Sequence, residues 1–317
     1  MHKRFVNHCT IALSIIPDGP ILIKSGKEGA DPTKPDMEFV ETYHAGGRSI
    51  YLPGSSLKGA IRAQAERIVR TVGRDKRPTT ENALWASNPL NLDELKYLDN
   101  LSDSRDIYRL SSFTDQMFGN TSIASRVRIE DAYPVDSKQL KIEERNGVAI
   151  DRVFGSVAVG PFNYQVCTSG EFHTKIHLKN FSLAQLGLIG LVLRDLNDGW
   201  FGLGFAKSRG LGMVEVKLNS AVVQYPGCVL ENEQICSLGG QGQWSNNVLL
   251  GTGVFLQEEE RASYGFPAND VQETPVQAES MPLGFGVQLQ WQGDEQVKDL
   301  FTRAVRSWRR ILEGAAA

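Results

Sequence analysis

The stretch YLPGSSLKGAIR, Tyr51 to Arg62, places small residues and two cations where a helix begins. Pro53 and Gly54 end whatever precedes them, and Ser55 or Ser56 is the expected cap of the opening backbone N–H groups. Such N–H groups carry a partial positive charge and hold phosphate. Gly54, Ser55 and Ser56 leave room for a bulky anion, and Lys58 and Arg62 add charge one turn apart. The same residues also fit an ordinary capped helix with a solvated basic edge.

A second stretch, GWFGLGFAKSRGLG from Gly199 to Gly212, holds five glycines around Lys207, Ser208, Arg209 and Gly210. Glycine lets a backbone pass close to a ligand, and Lys and Arg suit phosphate. The order is helix, loop, strand, so this is neither a Walker loop nor a dinucleotide fingerprint. A tight connection between helix and strand is the plainer alternative. In a third stretch, FGNTSIASRVRIEDAY, small residues and Arg126 lead into a strand. His173 and His177 share a strand face but are too far apart to pair directly. His44 sits in a loop with Asp36, where an imidazole can act as a general acid or base.

These residues need elements to hold them. Cys9, Ile11, Leu13 and Ile15 alternate with smaller, more polar residues, which predicts a half-buried strand. Residues 25–50 read as a long loop. Residues 56–72 repeat apolar positions every three or four residues and predict a helix. Residues 75–115 are irregular, with a helical fragment around 92–98. A strand is expected from Arg126 to Ala132, a hairpin within 136–165, and a strand through Phe172, Thr174, Ile176 and Leu178. A buried helix over 182–197, capped by Ser182, and a strand at GMVEVKL follow. The order is βαββαβ, an α+β class with a ferredoxin-like (RRM-like) core, long insertions and a C-terminal extension. On this reading residues 1–217 are the core and 218–317 the extension. Within the extension, 257–282 read as flexible. A strand is expected at Val287, Leu289 and Trp291, and an amphipathic helix over 295–313, capped by Asp294.

Of the 317 residues 41% are hydrophobic and 22% charged, and the net charge of −3 argues against a uniformly basic nucleic-acid binder while allowing a local basic groove. There is no apolar run of about 18 residues, and the N-terminus lacks the form of a secretory signal. Cys9, Cys167, Cys228 and Cys236 show no zinc spacing. A cytoplasmic protein with reduced packing thiols and no membrane partner is the expectation.

Taken together, YLPGSSLKGAIR, FGN…ASRVRIEDAYP, RNGVAIDRVFGSVAVGPFN and GLGFAKSRGLGMVEV, in that order, resemble the RAMP superfamily of CRISPR-associated proteins over roughly residues 5–217. The likeness is greatest to the backbone subunit of type III effector complexes. It implies that guide RNA, paired target RNA and other CRISPR effector subunits are the partners. It implies that the Gly54–Ser56 turn, Lys58, Arg62, Arg126 and the loop of Lys207, Ser208, Arg209 and Gly210 meet the guide backbone. RNA is then held through phosphate and 2′-OH contacts, with sequence left to base pairing; no aromatic RNP1 signature points to bases stacked on the sheet. The resemblance places a catalytic aspartate in the loop before the turn, at Asp36 or at Asp31. Asp36 would then act with Mg²⁺ or another divalent cation in metal-dependent cleavage by 2′-OH attack. It also implies that the hairpin at Val148–Asn163 reaches across the guide–target duplex. Two rivals stay open: a non-catalytic scaffold or capping subunit of the same complex, and a metal-independent guide-processing RNase using His44.

Overall fold

The computed structural model describes residues 4–26, 35–44, 47–74, 76–78, 84–88, 90–239 and 242–315. Strand β1 (His8–Pro17) buries Cys9, Ile11, Leu13 and Ile15 on one face. A small hairpin, β2 (Glu41–His44) and β3 (Gly47–Ile50), leads to helix α1 (Gly54–Val72). Helices α2 (Ser104–Leu110) and α3 (Phe113–Phe118) follow, then the short edge strands β4 (Val127–Ile129) and β5 (Tyr133–Pro134). The long ribbon β6 (Lys141–Ile150) and β7 (Val157–Ser169) precedes β8 (Phe172–Lys179), α4 (Leu183–Asn197) and β9 (Val214–Tyr225).

In the main sheet β9, β1, β8 and β4 lie side by side, all antiparallel. In chain order these are the fourth, first, third and second strands of a βαββαβ unit, which is the ferredoxin-like arrangement. The period-2 pattern decides its faces. Phe172, Thr174, Ile176 and Leu178 of β8 are buried, whereas His173, Lys175 and Lys179 are exposed and His177 is half-buried. Helix α4, sealed by a capping box between Ser182 and Gln185, buries most of its length behind the sheet.

The C-terminal third belongs to this same body. It comprises β10 (Cys228–Glu231), β11 (Gln234–Ser237), β12 (Gln243–Ser245), β13 (Val248–Leu250), α5 (Glu258–Tyr264), β14 (Val271–Glu273), β15 (Glu279–Ser280), β16 (Val287–Gln292) and α6 (Asp294–Ala315). A boundary at residue 217 falls inside β9, and β16 pairs with β9 to widen the main sheet. Helix α6 lies on α4 because Gly187 and Gly190 leave no Cβ between the backbones, so Ala304, Val305 and Phe301 pack directly onto them. The segment expected to be flexible, 257–282, contains α5, β14 and β15, with Asp270, Thr274 and Ala278 buried. Its polar side chains satisfy backbone groups, as where the Leu183 N–H donates to the Asp270 carboxylate. Asp294 is the first residue of α6 rather than its cap, and its carboxylate pairs with Lys298. All four cysteines are free and buried. Among the described residues no helix is long and apolar enough to cross a membrane.

Candidate nucleic-acid interface

Helix α1 opens against the edge of the sheet. Leu52 and Ala132 exchange backbone hydrogen bonds of 3.0 and 2.8 Å, which brings the Pro53–Gly54 turn alongside β4. Neither serine caps the helix: Ser55 and Ser56 lie within its first turn, and no side chain of the preceding residue does so. The Gly54 N–H instead donates to Asp131 Oδ1 at 2.7 Å, a carboxylate from 77 positions further along the chain. A Cβ on Gly54 would run into the Ile129 carbonyl oxygen and the Glu130 backbone. Gly54→Ala is therefore expected to push α1 off β4 and to cost about 1–3 kcal/mol, read as a lowered urea midpoint.

Between the start of α1 and the open face of the sheet lies a cleft of about 490 Å³. Gly54, Ser55 and Lys58 line one side, and Arg128, His177, Lys179 and His8 the other. Lys58 donates to Ser125 Oγ at 2.7 Å, and Ser125 in turn donates to the Val127 carbonyl at 2.7 Å, so the ammonium is aimed rather than free. Burial, aided by the nearby Arg62, lowers the Lys58 pKa. Arg128 and His177 share Glu130, at 3.1 and 2.8 Å, and His177 also meets Thr10 Oγ1 at 3.2 Å. The rings of His8 and His177 stack 5.6 Å apart. Burial holds the His8 pKa below the ordinary imidazole value against a hydrogen bond with Gln224, and electrostatic repulsion from the His177, Arg128 and Lys179 side chains pushes it the same way as burial. An anion in this cleft would meet Lys58, Arg128 and Lys179.

Two of the expected phosphate contacts have other work. Arg62 donates to Glu66 and Asp115 and to the Gly119 carbonyl, each at 2.8 Å, clasping α3 against α1. Arg126 is 4% exposed. Its guanidinium donates to Tyr108 Oη and the Asn180 carbonyl, both at 2.9 Å, and lies 3.9 Å from the Tyr108 ring centre. Sequence alone marks both as basic; their consumption by partners distant in the chain is a tertiary fact.

The glycine-rich loop does not line this cleft. Lys207–Arg209 form one exposed turn between Ala206 and Gly210, both left-handed. Gly204, at φ +76°, lies where any Cβ would strike the Leu22 carbonyl, and the Phe205 N–H donates to that carbonyl at 2.7 Å. Ile23, next in the chain, accepts from the Val40 N–H at 2.9 Å. The loop thus packs beyond the Pro17 end of β1, next to the segment that carries Asp36, whereas His8 at the other end of β1 faces the cleft.

Asp36 is exposed, and its Oδ2 accepts the Asn163 N–H at 2.9 Å. Met37 pairs with Tyr164, so Asp36 stands at the root of the β6–β7 ribbon. Further out, Val153 and Phe154 at the ribbon's turn are 82% and 84% exposed. Asp31 lies outside the described residues. Among the described residues no three His, Cys, Asp or Glu side chains converge as a metal cluster. A lone carboxylate still fits Mg²⁺, which is commonly held by one or two carboxylates together with substrate phosphates. His44 lies flat on Tyr133, with centroids 3.7 Å apart.

Residues 25–50 are not all loop: β2 and β3 occupy Glu41–His44 and Gly47–Ile50. Arg128, Lys179 and His8 were missed as site residues. The alternation of β8 carried the only signal, since it sends Lys179 to the same face as His177. A family model described as the RAMP superfamily matches residues 17–215, more than half of the chain. No curated protein matches it.

Proposed function

The chain belongs to the RAMP superfamily, whose members are CRISPR-associated RNA-binding proteins, and from that premise we propose that it is the guide-binding backbone subunit of a type III effector complex, cleaving complementary target RNA. The observation that carries the reading is the cleft in which the Gly54–Ser55 turn, Lys58, Arg128 and Lys179 converge. The open end of α1 beyond Gly54, whose own N–H is held by Asp131, and three cations suit a phosphate backbone and leave base edges to a pairing strand. The exposed Lys207 and Arg209 extend the basic track toward the Asp36 end of the molecule.

Cleavage would proceed by attack of a target 2′-oxygen on the adjacent phosphorus, its hydroxyl proton passing to solvent, to give a 2′,3′-cyclic phosphate as the P–O bond to the 5′-oxygen breaks and that oxygen takes a proton from solvent to leave as a hydroxyl. A bound divalent cation such as Mg²⁺ supplies charge neutralisation at the reacting phosphate. Asp36 is the side chain that would hold it, jointly with phosphate oxygens of the RNA. The ribbon root at Asn163 fixes the Asp36 carboxylate through the backbone N–H, and the exposed apolar ribbon is suited to lie against a duplex. That no three metal-ligating side chains gather at Asp36 among the described residues favours a second reading, a scaffold or capping subunit that binds guide RNA without cutting.

Salt dependence tests the binding reading. Neutralising Lys58, Arg128 and Lys179 together should lower the slope of log K against log salt by about 2 for single-stranded RNA, uniformly across sequences. An unchanged slope in the triple alanine variant would remove the cleft as the phosphate site.

A further inference from the structure

Beside the cleft, three rings lie nearly parallel. Tyr133 is stacked with His44 at 3.7 Å and 8°, and with Tyr51 at 5.9 Å and 16°. Rings that serve only to fasten a hairpin bury their faces. Here His44 is exposed, and Tyr51 and Tyr133 are only half-buried. Tyr133 stands opposite His173 in register, so it rises from the open face of the sheet at its edge. The stack is also tied to the phosphate turn. Tyr51 is two residues before Pro53, Leu52 pairs with Ala132, and Asp131 takes the Gly54 N–H through Oδ1 and the Tyr133 hydroxyl, at 3.4 Å, through Oδ2.

We infer that His44, Tyr133 and Tyr51 form a platform for an unpaired nucleobase of the RNA whose phosphates occupy the Gly54 turn. The inference rests on the RNA-binding reading above and adds a base-stacking contact to it. Aromatic faces accept any base, because every base presents a π-face. Such a platform fixes where one nucleotide leaves the stack without reading its identity. It comes from a hairpin and an edge strand, so a search for aromatic motifs on central strands passes over it.

The test uses the full chain and a single-stranded RNA carrying 5-iodouridine at successive positions. Photocrosslinking to His44, Tyr51 or Tyr133 at one position is expected. His44→Ala should weaken binding about tenfold, within the range for losing one stacked base. The loss should be the same for all sequences and leave the salt slope unchanged, and His44→Phe should restore affinity. Thermal unfolding of each variant is followed in parallel. Wild-type affinity in His44→Ala, with no crosslink to the three rings in the wild type, would overturn the platform and leave RNA binding standing. A loss that His44→Phe does not repair would also overturn it, since a face and not a polar atom is the claim. Failure of the wild-type chain to bind any RNA would overturn both readings.

Discussion

On the proposed cleaving role, Asp36→Asn is expected to abolish target cutting in the assembled complex while leaving guide loading intact. The substitution separates two jobs of one side chain. In the structure the carboxylate accepts the Asn163 N–H, and an asparagine oxygen can accept the same bond. Asparagine keeps the ribbon root in place but removes the negative charge needed to hold a divalent cation. A loss on the order of 10²–10³-fold or more is the size produced by removing one group that stabilises a transition state. Guide affinity should hold, because it comes from many phosphate contacts elsewhere. EDTA should reproduce the effect in the wild type. The measurement is the cleavage rate of a labelled complementary RNA, with guide content checked alongside. Asp31→Asn is the matched control and should cut at near the wild-type rate. Full activity in both variants would leave the scaffold reading.

Arg126→Ala should damage the fold and not RNA binding. Its guanidinium is buried, donates to Tyr108 and Asn180, and lies over the rings of Tyr108 and Phe266. Truncation removes the hydrogen bonds from the guanidinium to Tyr108 Oη and the Asn180 carbonyl and empties a space between α2, the loop after α5 and the start of β4. Lost charge-assisted bonds and cation–π contact together amount to roughly 2–4 kcal/mol. The urea midpoint should fall with the slope unchanged. The fraction still folded should bind RNA with the wild-type salt slope, the opposite of the Lys58, Arg128 and Lys179 variant. A variant as stable as the wild type, with a shallower salt slope, would return Arg126 to the phosphate contacts.

The elements that were legible in the sequence are those whose periodicity is strong and whose partners need not be known. The alternation of β1 and β8 and the apolar run of α4 with Ser182 before it identify themselves. So does the order that makes the sheet. What sequence could not show was set by partners far along the chain. The start of α1 is satisfied by Asp131 and not by the serines beside it. Arg62 and Arg126 look like their basic neighbours until Asp115 and Tyr108 are brought to them. Residues 257–282 are polar enough to read as flexible, yet Asp270 is buried where it meets the start of α4. The β2–β3 hairpin lacks a strong alternating pattern because it is narrow and largely exposed. The platform it supports was invisible for the same reason.

The position of β1 also governs the order of events at the ribosome. It is made well before β8 and β9, yet it lies between them and pairs with both along its length. His8 faces Lys179 across one seam and Gln224 across the other. At ordinary rates of synthesis its partners emerge roughly 10–40 s later. Until then an apolar strand with two open edges must wait, which makes the nascent chain a natural client for holding chaperones. The cleft shares the delay, since Lys58 cannot be joined by Lys179 before β8 is translated. The cleft therefore stays incomplete until translation has passed Lys179.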